Sequence, residues 1–223
     1  MQIHHFANQH KLATAVAEQV IVAANLAITA RGEFHWVLAG GTTPRICYEL
    51  LCHAEIDWSK VHIWFGDERC LPAGDPERND AMAQLALLAH VPIPELQIHR
   101  IAAEQGPVTA ARLYGSEIVS VESLDLALLG MGEDGHTASL FPRNVALESK
   151  SAAVAVFDSP KPPEERVSLG YSQINRAKRQ IVMVAGVGKR AAWQDICDGV
   201  KLPAARLVKA EWYVTDMGKT PCH

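Results

Sequence analysis

Apolar and polar positions change period repeatedly along this chain. Between residues 8 and 30, Leu12, Val16, Val20, Ile21 and Ala24 recur at helical spacing, which predicts a long amphipathic first helix. Residues 34–39, FHWVLA, read as a short buried strand entering Gly40-Gly41-Thr42-Thr43-Pro44. Thr43 is placed to cap the next helix, which extends to about Cys52, and Pro44 to take its first position. Further strands are predicted at 61–65, 98–101, 124–129, 152–157, 166–169, 180–185 and 212–215, and further helices at 79–88, 107–119 and 189–197. This alternation predicts an α/β fold: a doubly wound, mostly parallel sheet with helices on both faces, Rossmann-like in plan. No repeat, low-complexity tract or linker interrupts it, so residues 1–223 are expected to form a single domain.

The stretch 124–142, LDLALLGMGEDGHTASLFP, carries the most chemistry. An apolar run ends in a turn holding Gly130, Gly132 and Gly135, two carboxylates and His136. Glycines let backbone N–H groups approach a ligand closely, and an imidazole moves protons near neutral pH. The three glycines also spell GxGxxG, the dinucleotide fingerprint, and Asp158 ends the next apolar run where a ribose-binding acid would sit. That fingerprint needs a crossover helix, which Pro142 cuts after about two turns. No dinucleotide, and no other cofactor, is expected.

Three other segments bear on function. Gly40-Gly41-Thr42 at a helix N-terminus either cradles a phosphate or is simply a tight strand-to-helix turn. No Walker A pattern is present. Asp67-Glu68-Arg69 is either a surface turn or part of a site at the same strand end, since three charges after an apolar strand are costly to bury unpaired. Asn79 is expected to cap the helix that follows. In the stiff segment 159–166, Lys161 and Arg166 could hold an anion, against a plain solvated loop. His4, His5 and His10 read as surface residues and His35 and His62 as structural ones. No metal-ligand spacing appears, so no metal is expected.

Composition narrows the partners. The 223 residues are 48% hydrophobic and 21% charged, with a formal net charge of −4 and no basic run, which disfavours nucleic acid but leaves room for a locally positive pocket. Five cysteines, at 47, 52, 70, 197 and 222, are expected to be free thiols in a reducing cytoplasm; Cys70, beside the charged cluster, is a disfavoured nucleophile. The first residues lack a signal-peptide pattern, and no apolar run approaches the ~18 residues of a membrane span, so no membrane association is expected.

Taken in order, LAGGTTP (38–44), DWSKVHIWFGDERCLP (57–72), ERND (77–80), residues 124–142, SPKPPEERVSL (159–169) and AGVGK (185–189) resemble the lactonase branch of the glucosamine-6-phosphate isomerase/6-phosphogluconolactonase family. The related deaminases have an essential glutamate after the glycine–histidine pair, where this chain continues Thr137-Ala138-Ser139-Leu140-Phe141-Pro142. Ala39 stands where the family often has serine, and Ser168 and Gly170 where threonines are common. The resemblance implies hydrolysis of 6-phospho-D-glucono-1,5-lactone in the cytoplasm by a monomer or small homo-oligomer. His136 would then be the general base, Arg69 the oxyanion donor and Asp67 an orienting acceptor. Gly40, Gly41 and Thr42, with Lys161 and Arg166, would hold the phosphate. The alternatives are an amino-sugar-phosphate deaminase and a noncatalytic sugar-phosphate-binding module.

Overall fold

The structure, a computed structural model, describes residues 1–218. The described residues form ten strands and six α-helices, with 3₁₀ turns and one π-helical stretch, Gln84–Leu88, between them. Strand β1 (Gln2–His5) leads into α1 (Gln9–Arg31), whose N–H groups are capped by the Asn8 side chain and whose end is turned by Gly32 at φ 83°. By length and composition α1 could cross a membrane, with a mean hydropathy of 1.6 over 18 residues, against the expectation that no apolar run approaches that length. Its Leu12, Val16, Val20 and Ala24 are fully buried, which fits a core helix of this fold.

The remaining elements are β2 (Phe34–Leu38), α2 (Thr42–Leu51), β3 (Val61–Phe65), β4 (Asp67–Arg69), α3 (Asn79–Ala83), β5 (Ile98–His99), α4 (Pro107–Ile118), β6 (Leu126–Gly130), β7 (Ala153–Val156), β8 (Arg166–Leu169), α5 (Tyr171–Ile174), β9 (Arg179–Val184), α6 (Arg190–Cys197) and β10 (Ala210–Val214). Seven strands form one parallel sheet in the order β1-β10-β9-β6-β2-β3-β5. Every residue of β2 is buried, so both faces of the sheet are covered.

Three expectations are corrected. Asp67-Glu68-Arg69 is a strand, not a turn, and it pairs antiparallel with β8, which pairs with β7 in a separate three-stranded sheet. Gly66 makes the transfer between sheets: its N–H donates to Leu38 and its carbonyl accepts from Leu169. Helix α2 starts at Thr42, with Gly41 (φ 104°) at its cap, so Pro44 lies inside the first turn. Cys47, Cys52 and Cys70 are free, but Cys197 is disulfide-bonded, against the expectation of five thiols; Cys222 lies outside the described residues.

Candidate active site

Strand order places the site. β2 is followed in sequence by β3 on one side, while β6 lies on its other side. The chain leaving β2 and the chain leaving β6 therefore diverge, opening a crevice at the carboxyl ends of the strands. Two buried tyrosines fix the strand ends there. The Tyr48 hydroxyl bridges the N–H and carbonyl of Ala39, and the Tyr114 hydroxyl bridges those of Phe65.

The cleft holds about 410 Å³. The residues to which the resemblance gives site roles line it: Gly40, Gly41 and Thr42 after β2, Asp67 and Arg69 on β4, His136 after β6, and Lys161 and Arg166 from the proline loop; Glu68, Gly135 and Asp158 do not. Lys189, expected only to end the AGVGK turn and begin the helix at 189–197, lines it too. Four cations thus face one lining carboxylate, Asp67, on a chain of net charge −4.

His136 is held from behind. Its Nδ1 lies 2.5 Å from Asp134 Oδ1, and its N–H donates to the same oxygen. Burial alone would push the Asp134 carboxyl up, but the bonds and charge of His136 outweigh it and hold Asp134 down at about 2. With Nδ1 engaged, Nε2 is the nitrogen left for a substrate. The imidazole rests on Phe141 at 4.5 Å between ring centroids. Gly132 makes room for this pair, because a Cβ there would come within 2.0 Å of Nδ1.

The acidic strand is paired, as its burial requires. Glu68 is 1% exposed and accepts from the N–H groups of Arg69, Asn79 and Asp80, with Arg78 3.7 Å away. Burial nevertheless pushes its carboxyl up to about 7. Buried Arg78 also joins Asp80 and Glu104, so this unforeseen cation ties β4 to α3. Asn79 does not cap α3 with its side chain. It donates instead to the Asp67 carbonyl and Oδ1, while Glu68 takes the helix N–H groups.

The cations divide by their partners. Arg166 is buried and spends its Nε and Nη2 on the carbonyls of Lys161, Pro162 and Pro163, shaping the loop that carries Lys161. Among the described residues no acceptor holds the Lys161 ammonium. Burial, then neighbouring Lys161, pulls the Lys189 ammonium below its usual range, and Lys189 donates to the Met131 carbonyl. Arg69 donates to the Glu77 carbonyl and keeps a buried Nε without a partner.

Among the described residues, potential metal ligands meet in threes at Glu33, His35 and His62, whose ligand atoms lie within 4.8 Å of one another. Cross-strand pairing of His35 with His62 creates this group, which no sequence spacing announces. It lies at the start of β2 and β3, away from the cleft. The Trp64 indole, a donor only, gives its N–H to His35 Nδ1, which leaves the proton on Nε2 facing Glu33.

The family profile described as glucosamine-6-phosphate isomerases/6-phosphogluconolactonase matches residues 7–215. The chain belongs to this family. It is 38% identical to the 6-phosphogluconolactonase of Mycobacterium tuberculosis, across 92% of this chain and 91% of that one. It is 39% identical to the GDH/6PGL endoplasmic bifunctional protein of Oryctolagus cuniculus across 81% of this chain, but spans only 24% of that protein's length. The solved 6-phosphogluconolactonase of Thermotoga maritima superposes with a TM-score of 0.89 at 26% identity, covering 96% of this chain and 99% of the other. Family membership agrees with the mostly parallel α/β fold.

Proposed function

We propose that this chain hydrolyses 6-phospho-D-glucono-1,5-lactone to 6-phospho-D-gluconate, a step of the oxidative pentose phosphate pathway. The observation that carries this reading is His136 on its glycine turn, oriented by Asp134 and facing a cleft lined by four cations. The similarity to 6-phosphogluconolactonases over most of the chain supports it.

A lactone is an activated ester and needs no covalent nucleophile. His136 Nε2 takes a proton from the attacking water, and Asp134 at Nδ1 stabilises the imidazolium that forms. Arg69, which lines the cleft from β4, stabilises charge developing on the carbonyl oxygen. The phosphate lies against Gly40, Gly41 and Thr42 at the start of α2, where helix N–H groups lack intrahelical partners. Lys161 and Lys189 add charge, and Arg166 acts mainly by holding the loop of Lys161. We propose that the reaction is metal-independent, in a cytoplasmic monomer or small homo-oligomer.

The test is coupled lactone hydrolysis measured against the spontaneous background, in the parent and in His136→Asn. A general base contributes about 10²–10⁴-fold. The variant is expected to lose activity on that scale while still binding 6-phosphogluconate. Near-parent turnover would remove His136 as the base, and ammonia release from glucosamine 6-phosphate would favour a deaminase.

A further inference from the structure

Asp67 stands at the start of β4, buried and lining the cleft. Both carboxylate oxygens already have donors. Ser139 Oγ lies 2.5 Å from Oδ2, and Asn79 Nδ2 lies 3.1 Å from Oδ1 and 2.9 Å from the Asp67 carbonyl. Ser139 is fully buried, and its own N–H is bonded to Ser168 Oγ, so its place is fixed from two sides. Asn79 is fixed as well. Its N–H is held by Glu68, and its amide presses on Gly40 so closely that a Cβ there would meet Asn79 Oδ1 at 2.0 Å.

We infer that Ser139 and Asn79 are positioning residues that clamp the Asp67 carboxylate as a fixed hydrogen-bond acceptor for a hydroxyl of the sugar ring. A carboxylate offers about four acceptor directions. The two donors occupy one on each oxygen, and the remaining lone pairs are those available to the cleft. A clamp of this kind removes the rotation that would otherwise be lost on binding. It also ties three parts of the site together. Ser139 comes from the histidine loop, Asn79 from the start of α3, and Gly40 from the glycine turn. A hydroxyl bound at Asp67 is thereby set in register with His136.

The inference rests on the lactonase reading, and a double-mutant cycle tests it separately. kcat/KM for the lactone and calorimetric affinity for 6-phosphogluconate are measured in the parent, Ser139→Ala, Asp67→Ala and the double variant. Ser139→Ala is expected to lower kcat/KM and affinity about ten- to hundredfold, the range for removing a hydrogen bond to a charged group. In the Asp67→Ala background the same change should matter less than about twofold. A merely structural serine would give equal losses in both backgrounds, and that result, or no loss in either, overturns the clamp. Should Ser139→Ala fail to fold, Asn79→Ala runs the same cycle from the other oxygen. Absence of turnover in the parent sinks the lactonase reading alone, since the affinity cycle still reports on the clamp.

Discussion

Gly132→Ala puts one methyl group where the structure has least room for it. A Cβ at this position would lie 2.0 Å from His136 Nδ1, 2.1 Å from Cε1 and 2.8 Å from Asp134 Oδ1. Real Cβ contacts essentially never fall below 3.0 Å, so the imidazole must retreat. The shift needed is at least about 1 Å, and misplacement of that size costs roughly 10²-fold in rate. Stability should suffer far less. Gly132 is not among the glycines with positive φ, so alanine fits the backbone. The obstruction is the end of a side chain that can swing away. What is lost is the bond to Asp134, a partly exposed carboxylate, worth about 1 kcal/mol once screened by solvent. In a domain of this size that corresponds to about 2–4 °C in Tm. The expected variant therefore melts within about 5 °C of the parent, binds 6-phosphogluconate nearly as well, and loses at least about 10² in kcat/KM. Thermal melts, calorimetry and the coupled lactone assay check the three parts. A variant within about threefold of parent kcat/KM would show that the placement of His136 against Asp134 is not what catalysis requires.

Other outcomes follow from the same geometry. Lys161→Ala should lower kcat/KM for the phosphorylated lactone by one to two decades, from about 1.5–3 kcal/mol for a charge-assisted contact, and barely affect unphosphorylated gluconolactone; equal losses on both would move phosphate reading to Lys189 or Arg69. Asp134 is held at about 2 against an ordinary 3.8, so its contribution to stability is present above about pH 4 and is lost as pH falls towards 2. Melts of the parent and Asp134→Asn should accordingly converge as pH drops through that window, and parallel curves would contradict the sign. Activity should survive exhaustive chelation, because a lactone needs no Lewis acid. Loss on EDTA with rescue by a divalent ion would bring Asp67, Glu68 and Asp134 into consideration as ligands.

Much of the molecule is legible in its sequence. The apolar runs of β2, β3, β6 and β9 and the helical spacing of α1 are local signals, since a buried parallel strand must be apolar on both sides and a packed helix on one. The candidate site residues are legible for a related reason. Glycines that admit a ligand, a histidine on a turn, and charges after a strand all cost stability unless they are used or paired. Pro142, which cuts the crossover helix that the dinucleotide fingerprint needs, is a local signal against that reading.

Tertiary structure decided the rest, because it depends on what lies opposite in space. That β4, β7 and β8 form their own antiparallel sheet is a matter of pairing, and a strand of three charged residues has no apolar signal to give it away. Arg78 looks like any surface arginine until Glu68, Asp80 and Glu104 are brought around it. Lys189 reaches the cleft only because β9 lies next to β6, and Ser139 finds Asp67 across 72 positions of chain. The histidine cluster of β2 and β3 is likewise made by register. Sequence determines which groups must be satisfied, because desolvation penalises a buried polar group wherever it lies. Only the fold determines the partner that satisfies it, because that contact is set by strand order rather than by distance along the chain.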